Sequence, residues 1–188
     1  ECRYYRNNDS IDGGTFDNCA NLKTVMFEDG TTEIAEGLFA GCTGIEQITI
    51  PDTVTVIESG AFGGCINLKE IVVPDNVTEI QSSAFEYCSS LKTVKLSENL
   101  ERIGVYAFGD CDVLKSIKIP DSVLDIDGAA FAECKELSDV VLSKNLKTMG
   151  WQVFGNDNKL TEIEIPKSLE ECRYYRNNDS IDGGTFDN

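Results

Sequence analysis

Cysteine is the residue type in this sequence whose regular spacing most clearly suggests a chemical role, because thiols form disulfides, bind zinc and act as nucleophiles. If the chain winds so that regularly spaced cysteines stack on one another, their Cβ atoms stay about 5 Å apart. That distance is longer than the ~3.8 Å that a disulfide prefers. Zinc is disfavoured because the chain lacks paired C-x₂-C spacing and has no histidine. We therefore predict a column of free thiols that pack as small apolar groups. Its members recur every 23 residues: Cys19, Cys42, Cys65, Cys88, Cys111 and Cys134.

A second candidate for chemistry is the segment Arg173, Tyr174, Tyr175 and Arg176, which combines two guanidinium groups with two phenols in an acidic chain. Tyrosine and arginine dominate binding hot spots because they offer rigid contact area and fork-shaped hydrogen bonding. We predict a ligand-binding loop here. The alternative is that the tyrosines fold back over the coil and the arginines pair with neighbouring carboxylates.

Metal binding and catalysis find little support in the sequence. Residues 178–183 resemble a calcium loop, but no bidentate glutamate stands at the required later position, so no metal is assigned. Without histidine there is no His-based triad, and no Gly-rich phosphate loop precedes a helix. We expect a protein that is not an enzyme and needs no cofactor.

The net charge limits the classes of partner. The chain has 16 basic and 33 acidic residues, a formal charge of −17. Such a surface disfavours duplex nucleic acid, which basic groups must neutralise, and anionic lipid as well. No apolar run reaches the ~18–20 residues that span a bilayer, so membrane insertion is not expected.

Phenylalanine reveals the architecture that must position these groups. A fixed period of 20–50 residues is the signature of a solenoid, in which each repeat buries its apolar side only against its neighbours. We predict one continuous column of rings, in a single domain of about seven repeats over residues 1–188. The column lies at a constant spacing of 23: Phe16, Phe39, Phe62, Phe85, Phe108, Phe131 and Phe154.

Each repeat divides into a strand and a return segment. Alternation in sets such as Leu68, Ile71 and Val73 predicts one parallel β-strand per repeat, and these strands should stack into a single long sheet. The spacing of four from Ile57 to Ala61 predicts short helical turns on the opposite side. The fold class is thus an α/β-type, β-dominated solenoid. Lys95 and Lys118 occupy exposed positions of the predicted strands and are candidate ligand-binding residues. The exposed strand positions as a whole carry side chains of mixed charge and size and no group of residues that would suggest catalysis.

The repeat resembles the BspA-like leucine-rich repeat, whose motif is close to L-x-x-I-x-I-P-x-x-V-x-x-I-x-x-x-A-F-x-x-C. The resemblance covers essentially the whole chain, and residues 61–65 carry the Ala-Phe-x-x-Cys element intact. It implies an extracellular or cell-surface protein from a bacterium or protist. The departures are single residues: Leu38 and Val153 for the alanine, Asp157 for the cysteine, and Ser97 and Ser143 for the proline.

A longer period overlies the repeats. Residues 171–188 duplicate residues 1–18, an offset of 170 residues, which equals six ordinary repeats plus one with nine extra residues. Either the parent protein contains tandem copies of this block, or the ends were duplicated by engineering. We expect the extra residues to form a surface loop over residues 170–180. Cys2 and Cys172 lie in the two copies of this loop and are too far apart to form a disulfide within one chain. A disulfide between two chains is the alternative for these cysteines.

These observations favour a non-catalytic extracellular module that binds or adheres to a protein or glycan ligand. The alternative is a structural spacer or stalk, or a self-assembling repeat segment, with no ligand of its own. We also expect the chain to be a segment of a longer protein. Coils exposed at its ends would then allow head-to-tail self-association.

Overall fold

Successive 23-residue repeats stack as the coils of one solenoid in the computed structural model, which describes residues 14–157, 159–173, 175–177 and 180–182. Its strands are only two or three residues long, and no helical residue occurs in these ranges. In chain order the strands are β1 (Glu33–Ile34), β2 (Val56–Ile57), β3 (Glu70–Val72), β4 (Glu79–Ile80), β5 (Thr93–Lys95), β6 (Arg102–Ile103), β7 (Ser116–Lys118), β8 (Asp125–Ile126), β9 (Asp139–Val141), β10 (Thr148–Met149), β11 (Glu171–Cys172), β12 (Tyr175–Asn177) and β13 (Ser180–Asp182).

The largest sheet is parallel and continuous, with seven strands in the order β1-β2-β4-β6-β8-β10-β11. Its register joins residues one repeat apart, so that Ile34 lies beside Ile57 and Ile57 beside Ile80. These isoleucines are fully buried, whereas the preceding residue of each strand faces outward. This sheet therefore forms on the segment that follows the turn, and not on the segment for which the sequence predicted a strand.

The predicted strands form in four coils, as β3, β5, β7 and β9, but residues 24–26, 47–49 and 160–165 form none, and the single long sheet expected of them is wrong. Strands β3 and β5 pair in parallel, as do β7 and β9, and these are two separate two-stranded sheets. In the described coils, each of these two pairings joins a coil that has proline just after its strand to the next coil, which has serine at the same position. The proline and serine are Pro74 and Ser97 in the first pairing and Pro120 and Ser143 in the second. Each break precedes a coil with proline after the strand. The breaks therefore coincide with proline, although the serine amides at the same position of the paired coils donate no hydrogen bond to the preceding coil in the described structure.

The short helical turns predicted for the return side are also wrong. The N–H of Phe62 donates to the Ala84 carbonyl of the next coil (2.8 Å), whereas the N–H of Gly63 turns back to Gly60 (2.9 Å). A helix would use every N–H within its own segment and would need negative φ throughout. Here alternate amides join the coils, and Gly60 and Gly64 have φ of 63° and 72°. Later coils place non-glycine residues in the same conformation: Ser83, Tyr87, Tyr106, Asp110, Ala129 and Glu133.

The predicted phenylalanine column is confirmed. Rings of successive coils stack with centroids 5.2–5.8 Å apart and planes within 17° of parallel. Phe62, Phe85 and Phe108 are fully buried. Each stacked pair contributes about 0.5–1.5 kcal/mol beyond the burial of its apolar area. The column thus lies at the centre of a core that runs through the coils, with the two kinds of strand on different sides of it. Within the described ranges, no helix is long and apolar enough to cross a membrane.

Candidate functional site

The strands β3, β5, β7 and β9 present an exposed face, which we call the strand face. Each has a middle residue turned toward the core and outer residues in solvent. In register, Val72 lies beside Lys95 and Lys118 lies beside Val141. Because β5 contacts β7, these four residues form one column in the order valine, lysine, lysine, valine. The two valines are 56% and 51% exposed, unusual for β-branched apolar side chains.

Lysines of the strand face lack the ion pairs that most other lysines make. Within the described ranges, neither Lys95 nor Lys118 has a carboxylate oxygen within 4 Å, and neither do Lys92 and Lys115 at the starts of the same two strands. By contrast, Lys69 lies 2.5 Å from Glu46. Four lysines on two adjacent coils without a carboxylate oxygen within 4 Å are an exception in a chain of charge −17, although Lys115 lies near enough to Glu136 to help lower the pKa of that carboxyl. We call these four residues the lysine quartet.

A shallow depression of about 500 Å³ adjoins the quartet and is lined by Lys92, Val113, Lys115 and Glu136. Its lining is mostly apolar and includes the carboxylate of Glu136 beside the two lysines. The strand face therefore offers charge and apolar area side by side.

The predicted loop begins later than the sequence indicated. Cys172 pairs in register with Met149, and the Arg173 N–H donates to the Met149 carbonyl (2.7 Å), so residues 170–173 continue the seven-stranded sheet. Placing Cys172 in the inserted loop was therefore wrong, because the 23-residue backbone register persists through Arg173. The insertion instead forms the antiparallel hairpin of β12 and β13, with Tyr175 opposite Asp182.

Arg173 is engaged with carboxylates, which is the alternative that the sequence left open. Its guanidinium lies 3.3 Å from Asp127 and 3.5 Å from Asp125. Asp127 is buried, and Arg102 donates to its other oxygen at 2.7 Å. This hydrogen bond raises the pKa of Arg102. Two arginines thus enclose one carboxylate on the outer side of the seven-stranded sheet.

The predicted binding residues do not share one sheet or one side of the solenoid. Lys95 and Lys118 lie on the strand face, while Arg173 follows β11 of the seven-stranded sheet. Tyr174 lies outside the described residues, and Tyr175 and Arg176 are placed only as backbone in β12. Their role in ligand binding stays a prediction.

Sequence reasoning missed Lys92 and Lys115, although a signal for them exists. Lys-x-x-Lys occurs twice at the interval of one repeat, which places both pairs on adjacent coils. In the described part of the chain, no group of three or more acidic or cysteine side chains could hold a metal ion.

The chain is similar in sequence and structure to known leucine-rich repeat proteins. The family model described as BspA type leucine rich repeat region matches residues 3–112 and 55–181, with six copies of the repeat. A leucine-rich repeat protein from Bacteroides ovatus is 36% identical, with a TM-score of 0.70, over 77% of this chain and 38% of that one. The T. pallidum leucine rich repeat protein is 33% identical, with a TM-score of 0.72, over 74% and 67% respectively.

A third solved structure, a leucine rich cell surface protein from Faecalibacterium prausnitzii, is 30% identical, with a TM-score of 0.50, over 82% of this chain and 50% of that one. No curated protein matches the chain. The chain spans only 38% of the Bacteroides ovatus structure, so the activities of such longer proteins do not transfer to it directly.

Proposed function

Because this chain belongs to the BspA-type leucine-rich repeat family, we propose that it is a non-catalytic binding module whose ligand contacts the strand face. Solenoids present extended surfaces to their ligands, and the repeat supplies the scaffold while the exposed positions supply the specificity. In the described coils, those exposed positions carry no arrangement of acid, base and nucleophile that would point to catalysis instead.

The observation that carries this proposal is the lysine quartet beside two exposed valines. Exposed lysines in an acidic protein normally gain by pairing with nearby carboxylates, as Lys159 does with Glu136 at 2.6 Å. Leaving Lys95 and Lys118 unpaired, and Val72 and Val141 in water, gives the folded chain nothing. A ligand that covers them accounts for both features.

The proposal is tested by selecting ligands without assuming their chemistry. A random peptide display library and a glycan array are screened against the full chain, and each selected ligand is then measured against two double variants. One is Lys95→Glu with Lys118→Glu; the control is Lys144→Glu with Lys147→Glu, which changes the same charge away from the strand face. We expect selected ligands to lose affinity at least tenfold for the first variant and less than twofold for the control. Ligands that bind both variants equally would show that the strand face is not the binding surface.

We further propose that the binding occurs outside the cell. The family and the cell-surface relative from Faecalibacterium prausnitzii support this location. Protease treatment of intact cells that make the parent protein should remove this segment, whereas a cytoplasmic marker should survive. Protection of the segment under those conditions would contradict a surface location.

A structural spacer is the second candidate, and one observation favours it. The register of 23 residues is unbroken across seven parallel strands, and the phenylalanine rings stack through the same coils, which makes a stiff rod. If the screens return no ligand, a spacer becomes the better explanation. Head-to-tail self-association belongs to this candidate and is tested by a molecular mass from light scattering that rises with concentration.

A further inference from the structure

We propose that the ligand of the strand face is an extended peptide segment with one acidic residue between two apolar ones, in the pattern apolar-x-acidic-x-apolar. This inference rests on the binding function proposed above and names the chemistry of the partner.

Spacing along the column of Val72, Lys95, Lys118 and Val141 sets the pattern. Neighbouring strands lie about 4.8 Å apart, so the two valines are separated by three steps, or about 14 Å. Side chains on one face of an extended peptide recur every two residues, about 6.8 Å apart, and two such steps also cover about 14 Å. A peptide laid across the strands can therefore place apolar side chains over both valines. Its central side chain then falls midway between the two lysines.

Charge complementarity identifies that central side chain. An acidic group midway between Lys95 and Lys118 approaches two ammonium groups that have no other partner in the described coils. Lys92 and Lys115 lie about three residues back along the same strands, roughly 10 Å away, and add a longer-range attraction. In the described coils, the other pair of adjacent lysines without a carboxylate oxygen within 4 Å is Lys92 with Lys115, the remaining half of the quartet.

The surroundings of the quartet favour a short acidic centre over a long anionic polymer. Glu70 and Asp139 are exposed at the outer positions of β3 and β9, on the coils on either side of the quartet. A sulfated polysaccharide that followed the column would therefore pass from the lysines onto the two valines, with these carboxylates about 7 Å to one side. The peptide pattern avoids repulsion by these carboxylates because its flanking residues are uncharged. Apolar flanks also match the two exposed valines, which a polysaccharide of evenly spaced charges does not.

The test uses three probes with the full chain. The first is a capped peptide with the core Ile-Ser-Glu-Ser-Ile, the second is its Ile-Ser-Gln-Ser-Ile counterpart, and the third is chondroitin sulfate. Binding is followed by NMR titration, with the methyl signals of Val72 and Val141 as the local readout. We expect the acidic peptide to shift these signals and to bind about tenfold more tightly than the glutamine peptide. Raising the salt concentration from 0.05 to 0.5 M should weaken the acidic peptide several-fold.

Variants then separate the charge from the apolar contribution. Lys95→Gln with Lys118→Gln should abolish the preference for the acidic peptide, and Val72→Ser with Val141→Ser should weaken both peptides about fivefold. The matched control, Lys144→Gln with Lys147→Gln, should change neither.

Three outcomes overturn the inference. Tighter binding of chondroitin sulfate than of the acidic peptide would assign the face to an anionic glycan and keep the binding function. Equal affinity of the acidic and glutamine peptides would remove the role of the quartet. Absence of binding by all probes would reject this ligand chemistry, while the unbiased screens described above would still decide whether the strand face binds at all.

Discussion

The thiol of Cys88 donates a hydrogen bond to the carbonyl oxygen of Phe62, 3.3 Å away in the preceding coil. The same bond joins Cys65 to Phe39 at 3.2 Å and Cys134 to Phe108 at 3.2 Å. The cysteine column therefore does more than fill space as a set of small apolar groups. Each thiol therefore also links neighbouring coils through a buried carbonyl, and the carbonyl of Phe62 accepts the Cys65 N–H (3.1 Å) as well as the thiol of Cys88.

Replacing Cys88 by alanine should destabilise the chain by about 1–2 kcal/mol, because the substitution removes buried sulfur contacts and one of the two donors to the Phe62 carbonyl, which keeps the Cys65 N–H. The free energy of unfolding is measured by urea titration. Cys172→Ala is the matched control, since that cysteine is exposed, and it should change stability by less than about 0.5 kcal/mol. Equal effects of the two substitutions would show that the bond to Phe62 contributes nothing.

Alkylation of the native chain should discriminate between column and surface thiols. Burial raises the pKa of Cys65 to about 12, so its reactive thiolate is scarce at neutral pH and is also shielded from reagents. Cys172 is exposed. With iodoacetamide at pH 8, mass spectrometry should show Cys172 modified at least about a hundredfold faster than Cys65, a difference that disappears in urea. Comparable native rates would contradict the burial of the column.

Much of the fold could be predicted because its strongest signals repeat. The interval of 23 between Phe62 and Phe85 fixes which residues stack, whatever the local backbone does. The sequence pattern of the return side was ambiguous because a spacing of four, as from Ile57 to Ala61, also occurs when every fourth residue adopts positive φ, as Gly60 and Gly64 do. A residue such as Ser83 carries no sequence mark of that conformation, which the hydrogen bonds to the next coil impose.

The candidate site could be predicted only in part, for a related reason. Alternation along the strand placed Lys95 and Lys118 in solvent, but the absence of ion partners depends on the geometry of neighbouring coils. The start of the insertion was misplaced because Arg173 has no sequence feature that marks it as part of the sheet. Its pairing with the buried Asp127 brings together residues 46 positions apart, which is two repeats, so the period accounts for this contact once the register is continued through Arg173.

Asp127→Asn should lower the free energy of unfolding by about 1–2 kcal/mol, because Arg102 and Arg173 then face each other without the charge that separates them. A double-mutant cycle with Arg102→Gln should give a coupling energy near 1 kcal/mol. Asp52→Asn, at an exposed position, provides the control and should be close to neutral. A coupling energy near zero would mean that the 2.7 Å contact is offset by its cost of desolvation.

Gly150→Ala should destabilise the chain by about 2–3 kcal/mol. A Cβ at that position would lie 2.2 Å from the backbone nitrogen of Gly128 in the preceding coil, and backbone packed between sheets cannot withdraw. Gly63→Ala is the matched control, because its Cβ would lie 3.3 Å from the Ser83 carbonyl and needs only a slight adjustment. Thermal unfolding of both variants compares them directly. Equal midpoints would show that the coils can separate at Gly150 without cost.

Asp157 occupies the next position of the cysteine column and should make stability depend on pH. Burial, assisted by the nearby charge of Glu133, raises the pKa of this carboxyl from 3.8 to about 8, although its bond with the Cys134 N–H acts in the opposite direction. One of its oxygens is buried without a hydrogen-bond partner in the described part of the chain. The folded chain therefore retains the proton between about pH 4 and pH 8, whereas the unfolded chain has lost it. The contribution of Asp157 to the free energy of unfolding is therefore largest below about pH 4. It falls as the pH rises from about 4 to about 8 and is constant above about pH 8.

Asp157→Cys, which restores the residue of the other repeats, should remove that pH dependence and stabilise the chain at pH 7.5 by about 2 kcal/mol. The measurement is the difference in free energy of unfolding between variant and parent at several pH values, because the other carboxylates contribute equally to both. Asp157→Asn keeps the shape and an acceptor for the Cys134 N–H but cannot titrate, so its difference curve should have the same slope. If the difference in free energy of unfolding between each variant and the parent were the same at every pH from 4 to 8, the Asp157 carboxyl would have to be ionised in the folded chain. The cysteine column would then tolerate a charge at the position where every preceding coil has a thiol.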